Sequence, residues 1–285
     1  MVLVICSLLY ILYLCAEYRY LKHERKKLKY LIHINGTRGK STLCRLVDAG
    51  LRGGGYKVFT KTTGTAPRII DVDAVEREIN RQGKANIREQ IKAVHWAVRQ
   101  NAEVLVVECM AVKPELQRIC EQRILTADIT AITNVREDHL DEMGASLDSI
   151  AHSLAQTIPT NAVFFTADAA YFPFFRQVCA SRHSRAFLSG EQLEQYREID
   201  FPDNVALALE ICRYLGVDTQ KALSAMKSYY KDPGSLKVVA YRNAKGSTVF
   251  FINTLAANDP CSTEIILKNS MTKPYWQHKK FLLIN

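Results

Sequence analysis

His33-Ile34-Asn35-Gly36-Thr37-Arg38-Gly39-Lys40-Ser41-Thr42 is the stretch whose reading decides the fold. Ahead of it lies an apolar run of strand length, residues 28–34 (LKYLIHI). After it comes helical spacing from about residue 40 to 51. A strand, a glycine turn and a helix that opens on Lys-Ser are the context of a phosphate loop. Gly36 and Gly39 let the backbone turn tightly, so that successive N–H groups face one anion. The helix start adds partial positive charge. Lys40 is spaced to reach the β- and γ-phosphates, and the Ser41 hydroxyl suits magnesium, a hard cation that takes oxygen ligands. The generic pattern has glycine where this chain has Ile34. The competing reading is an ordinary strand–turn–helix connection that happens to hold two glycines.

Working outward, Gly53-Gly54-Gly55 closes that helix. A second strand is expected at 57–60 (KVFT), then a polar loop at 62–65 (TTGT). Ile87, Ile91, Val94 and Val98 give helical spacing over 86–101. Further strands are expected at 104–107, 128–133 and 162–166. Strands that are apolar on both faces and alternate with helices imply an α/β fold, a parallel sheet covered on both sides. A second unit is expected from about Lys245, with strands at 248–252 (TVFFI) and 281–284 (FLLI). The expected organisation is 1–21, an apolar anchor helix; 22–244, the phosphate-loop domain; and 245–285, the beginning of a further α/β domain. The last is expected to be incomplete, because Asn285 directly follows a strand and a parallel α/β domain does not close there.

The chain has 285 residues, ordinary globular composition and a formal net charge of +9. Arg19, Lys22, Arg25, Lys26, Lys27 and Lys29 hold much of the excess, directly after the uncharged segment 1–16 (MVLVICSLLYILYLCA). No basic stripe interleaved with aromatics appears, so nucleic acid is not an expected partner. Charge after the apolar run, not before it, favours a membrane anchor over a cleaved signal peptide. The expected place is the cell membrane, single-pass, with the body in the cytoplasm. A buried N-terminal helix is the alternative, since sixteen residues fall short of a bilayer core. Eight cysteines stand singly with no CxxC, which fits a reducing compartment.

Three more polar clusters sit at expected strand ends, where parallel sheets bind ligands. Glu108 follows 104–107 and offers a carboxylate to a metal. Residues 133–144 (TNVREDHLDEMG) follow the fourth strand, and His139 there suits a metal or a phosphate. Thr62, Thr63, Gly64, Thr65 and Arg68, in the run 62–68 (TTGTAPR), form with Arg88, Glu89 and Gln90 a donor-rich set fit for an anionic acceptor. Each taken alone also reads as a solvated loop.

The combination INGTRGKST (34–42), VVECMA (106–111) and TNVREDHLDEMG (133–144) resembles the Mur-ligase superfamily in order and spacing. The wording of TKTTGTAPR (60–68), NIREQ (86–90), ECMAVKPELQ (108–117), FPDNVALAL (201–209), DPGS (232–235) and NTLAANDPCST (253–263) is similar to its poly-γ-glutamate synthase (CapB/PgsB) branch. The resemblance implies a Mur-type central ATPase domain followed by a Rossmann-like C-terminal domain. It implies ATP and Mg2+ as cofactors, with Asn35, Gly36, Thr37, Arg38, Gly39, Lys40, Ser41 and Thr42 on the phosphates and Asn204 on the base side. Lys40, Glu108 and His139 would be catalytic, and Ser41, Glu108 and His139 would hold metal. Thr62 to Thr65, Arg68 and Arg88 would face the acceptor. The implied activity joins glutamate to a growing poly-γ-glutamate chain through an acyl phosphate, beside small membrane subunits of a capsule synthase. One departure stands out. Many members carry a metal-bridging carbamylated lysine after the His-containing cluster, but residues 151–157 (AHSLAQT) hold no lysine. Two other functions fit the same residues: a non-catalytic nucleotide-binding membrane subunit, or a Mur-type ligase acting on folate or cell-wall precursors.

Overall fold

Side chains alternate along a strand, and the first strand buries both of its faces. Ile32 and Ile34 enter one apolar cluster and Leu31 another, all with no exposed surface. Such a strand belongs at the centre of a sheet covered on both sides. The computed structural model describes residues 1–64, 66–191, 194–231, 237–242 and 248–253, with 246, 264, 268 and 271. The chain divides into two compact units, Met1–Tyr230 and Lys231–Asn285.

The larger unit begins with α1 (Val2–Arg25), β1 (Tyr30–Asn35), α2 (Lys40–Gly53) and β2 (Val58–Thr62). Two short strands follow, β3 (Arg68–Ile70) and β4 (Glu76–Glu78), then α3 (Glu89–Arg99) and β5 (Val104–Glu108). Next come α4 (Pro114–Ile119), β6 (Ile129–Ile132), α5 (Leu140–Met143), α6 (Leu147–Leu154) and β7 (Val163–Thr166). The unit closes with α7 (Phe172–Ser181), β8 (Arg185–Leu188), α8 (Pro202–Tyr214) and α9 (Thr219–Met226). In the smaller unit, β9 (Lys237–Arg242) and β10 (Thr248–Asn253) pair antiparallel. The strand expected at 281–284 lies outside the described residues.

The strand order in the large sheet is β4-β3-β2-β5-β1-β6-β7-β8. From β2 to β8 every pair is parallel. The expected parallel sheet is thus present in these six strands, and β3 and β4 add an antiparallel edge to it. The connections between β2, β3 and β4 are short, and short connections allow only hairpins. α2, α8 and α9 pack on one face through Leu43, Leu46, Val47, Leu207, Ile211 and Met226. The other face holds α3 with Ala93, Val94 and Ala97, and farther along α6 and α7 with Ile150, Leu154 and Phe175.

α2 also fastens the antiparallel edge. Arg52 is chelated by Asp48 and donates to the carbonyls of Val58, Asp71 and Val72. Arg45 reaches Glu76 at 2.6 Å. Beneath β1, the fully buried His33 meets Glu121 at 2.7 Å, and Glu121 also accepts from the Ala127 N–H. Burial opposes charge on His33, but the Cys109 sulfur and the Glu121 carboxylate beside it outweigh burial and raise it to about 10. A raised folded-state pKa stabilises fully below the ordinary histidine value and is lost as pH climbs through the folded value.

Two measurements check this core. Leu105→Ala, in central β5, is expected to cost about 2 to 5 kcal/mol in denaturant unfolding. The stability gap between wild type and Glu121→Gln is expected to be widest below pH 6.5 and to close as pH approaches 10.

Candidate active site

β1 is flanked by β5 and β6, so connections leave it in both directions, and a crevice opens beyond the strands' carboxyl ends. The phosphate loop, Glu108, the start of the 133–144 cluster and Thr63 meet there. Gly36 has φ +125°, and a Cβ on it would lie 2.0 Å from Thr133 Oγ1 and 2.8 Å from the Thr133 backbone N. Only glycine lets β1 turn this close to the end of β6. Gly39, at φ +82°, caps α2 without a side-chain hydrogen bond, so the first-turn N–H groups keep their capacity for an anion. The Asn204 amide, in the first turn of α8, lies directly over Gly39, where a Cβ would come within 2.8 Å of it.

The loop is braced by Asn134, two residues past the end of β6. Its side-chain oxygen accepts from Thr37 Oγ1 at 2.7 Å and from the Arg38 N–H at 3.1 Å, and its Nδ2 donates to Arg38 O. Thr37 Oγ1 in turn accepts from the Arg136 N–H. Asn35 faces inward: its amide donates to Gln117 and Thr157. It therefore supports the loop from below instead of facing a ligand. Lys40 lies across the loop, donating from Nζ to Gly36 O at 2.8 Å and Thr37 O at 3.1 Å. Thr42 stands in the first turn of α2.

Glu108, 2% exposed, ends β5. One of its oxygens, Oε2, accepts from Ser41 Oγ at 2.8 Å and from the Thr63 N–H at 2.6 Å. Gln90 Nε2 holds the Glu108 carbonyl at 2.9 Å. A single carboxylate thus fastens the phosphate loop to the loop after β2. Lys61, fully buried on β2, lies 3.5 Å from Glu89 in the first turn of α3 and keeps this edge in register. Burial pushes the Lys61 ammonium down, against the pull of Glu89.

The other expected residues are less convergent. Thr62 is buried with no partner for its Oγ1, Gly64 is exposed, and Thr65 lies outside the described residues. Arg68 sits 3.9 Å from Glu76 and 3.7 Å from Glu78 on the hairpin. Arg88 is turned to Glu17 of α1 at 2.5 Å and is not gathered with the rest. His139 has φ +45°, and its side chain is 53% exposed. Asp138 links it to the loop, 3.8 Å from His139 Nε2 and 3.5 Å from Arg38. Beside Asn204, burial pushes the Asp203 carboxyl up, with Arg136 pulling the other way. Asn134, Gln117 and Gln90 were legible only as polar residues inside the quoted clusters; their bracing depends on which strands are neighbours.

Among the described residues, no three His, Cys, Asp or Glu side chains gather as a metal cage. The donor set is one buried carboxylate and one hydroxyl beside an anion-binding loop. That set fits magnesium, which takes one or two carboxylates and completes its shell with water and phosphate oxygens.

Gly36→Ala is expected to weaken nucleotide binding by at least tenfold in calorimetry, since the loop must leave Thr133. Thr133→Ala should restore only part of the loss, because the backbone N at 2.8 Å remains in the way.

Comparison with known proteins gives the family. Residues 34–207 match the Mur ligase middle domain, and residues 238–285 match the poly-gamma-glutamate synthase CapB C-terminal domain. The capsule biosynthesis protein CapB of Bacillus anthracis is 35% identical, over 91% of this chain and 57% of that protein. The PGA synthase CapB of Bacillus subtilis (strain 168) is 34% identical, over 100% of this chain and 74% of that protein. The chain thus spans little more than half the length of the first of these relatives. Solved structures share the fold at lower identity. Escherichia coli FolC in complex with DHPP and ADP gives a TM-score of 0.66 at 17% identity, covering 90% of this chain and 70% of that one. A MurF from Acinetobacter baumannii also gives 0.66, at 15% identity, covering 91% and 58%. The chain belongs to the Mur ligase family and, within it, to the poly-γ-glutamate synthase CapB group.

Proposed function

We propose that the chain is an ATP-dependent amide ligase that joins glutamate units through the side-chain carboxylate, making poly-γ-glutamate for a capsule. The observation that carries the reading is the Glu108 carboxylate, which accepts from both Ser41 and Thr63. It holds the phosphate loop and the loop after β2 together, which supports a triphosphate and an acceptor meeting at one point. The CapB relatives support the product. A folylpolyglutamate synthase structure with Mn, AMPPNP and L-glutamate bound, similar in fold, supports the substrates and the divalent metal.

The loop N–H groups and Lys40 hold the β- and γ-phosphates, and Asn204 contacts the base side. Ser41 and Glu108 would hold magnesium, whose charge would offset that between the phosphates and an incoming carboxylate. His139, beside Asp138, would serve a second metal or the γ-phosphate. The loop of Thr62 to Thr65 receives the acceptor. Arg68, on the strand that follows that loop, clamps its carboxylates in place of Glu76 and Glu78. The acceptor carboxylate attacks the γ-phosphorus, and ADP leaves. The amine of the next glutamate then attacks the acyl carbon, loses its proton and expels phosphate. Catalysis is positioning and charge neutralisation, with no covalent bond to the protein.

α1 is the one helix among the described residues long and apolar enough to cross a membrane, and none of its apolar window is buried. We assign it as a single-pass anchor in the cell membrane. The basic residues after the apolar run keep the ATP-binding domain, residues 22–244, in the cytoplasm. Residues 245–285 belong to the C-terminal ligase domain, and small membrane subunits of the synthase are the expected partners.

Purified protein given ATP, magnesium and glutamate is expected to release ADP and form γ-linked product. Lys40→Ala should lower both by roughly 100-fold or more, with the melting temperature unchanged. ADP release at the wild-type rate from that variant contradicts the assignment.

A further inference from the structure

The apolar helix and the candidate site point the same way. Arg88, at the N-terminus of α3, meets Glu17. His95, farther along α3, stacks 5.0 Å from Tyr20 and lies 3.9 Å from Glu24. Later positions of α1 therefore meet later positions of α3, so the two helices run parallel. α3 starts at the carboxyl edge of the sheet, where Gln90 holds the Glu108 carbonyl. α1 ends at the opposite edge, where Arg25 donates to the Leu125 carbonyl and to Asp128, just before β6.

Traced back from Glu17, α1 must then project past the carboxyl edge. The residues from Glu17 to Val2, at 1.5 Å each, carry it roughly 22 Å beyond. Residues 1–13 are all exposed there, eleven of them large apolar side chains such as Leu3, Leu8, Ile11 and Tyr13. The first charged residues, Glu17 and Arg19, fall where the helix meets the body. Arg88 meets Glu17 at that point, exposed Lys84 stands four residues before it on the loop leading into α3, and Arg19 and Lys22 follow Glu17 along α1. An apolar rod rising from a cationic collar suits a bilayer with anionic headgroups.

We propose that the carboxyl edge of the sheet, carrying Ser41, Glu108 and Thr63, faces the lipid surface. Acceptor enters and product leaves at the headgroup layer, and the edge where β2 begins, at Lys57, faces away. This rests on the reading of α1 as a bilayer anchor. It adds the direction in which the site opens.

The test uses the full chain and vesicles of phosphatidylcholine and phosphatidylglycerol carrying a headgroup-linked quencher. A fluorescent side chain is placed at position Lys84 or at position Lys57, both exposed and outside the proposed machinery. Flotation with the vesicles is expected, with quenching severalfold stronger at Lys84 than at Lys57. A chain that does not float removes the anchor, and this orientation with it. A chain that floats with Lys57 quenched as strongly as Lys84, or more so, overturns the orientation and leaves the anchor standing.

Discussion

The hydrogen bonds to the Glu108 carboxylate organise the site. Ser41 belongs to α2, Thr63 to the loop after β2, and Glu108 to β5; one oxygen joins all three. A buried carboxylate is costly unless its oxygens accept well-placed protons. Here the sequence supplies them from a helix start and from a backbone amide. The same group is left suited to a hard cation, since a hydroxyl and a carboxylate already face each other.

The rest of the polar interior serves that geometry. β1 and β6 must lie close for Asn134 to brace the loop, and Gly36 permits the approach. β2 must be held against β5 for Thr63 to reach Glu108, and Lys61, Arg52 and Asp48 hold it. Burial pushes the Asp48 carboxyl up, while its bonds to Arg52 and Thr60 pull it back. Breaking such a pair from one side strands the other charge, at about 3 to 5 kcal/mol. Stability and site geometry therefore reside in the same side chains.

Much of this was legible in the sequence. Each long parallel strand is an apolar run, and the phosphate loop announces itself through Gly36, Gly39 and Lys40 between a strand and a helix. The edge was not. Arg68–Ile70 and Glu76–Glu78 are three residues each, too short for a period to show, and they are strands through pairing onto β2, held from α2 by Arg45 on Glu76 and Arg52 on the Asp71 carbonyl. Asn134 and Gln117 act across about a hundred residues of chain, so their partners follow from strand order and not from local pattern. Arg88 read as an acceptor clamp because it sits beside Glu89 and Gln90. Its side chain turns instead to α1, an element whose packing no periodicity predicts.

The most direct test of Glu108 as the junction is amide hydrogen exchange in wild type and Glu108→Ala, followed at residues 36–42 and at Thr63. Loss of the carboxylate should speed exchange in both segments together, while β7 and α7 stay as protected as in wild type. Faster exchange at Thr63 alone, with the phosphate loop unchanged, would contradict the account, because the two loops would then be held independently.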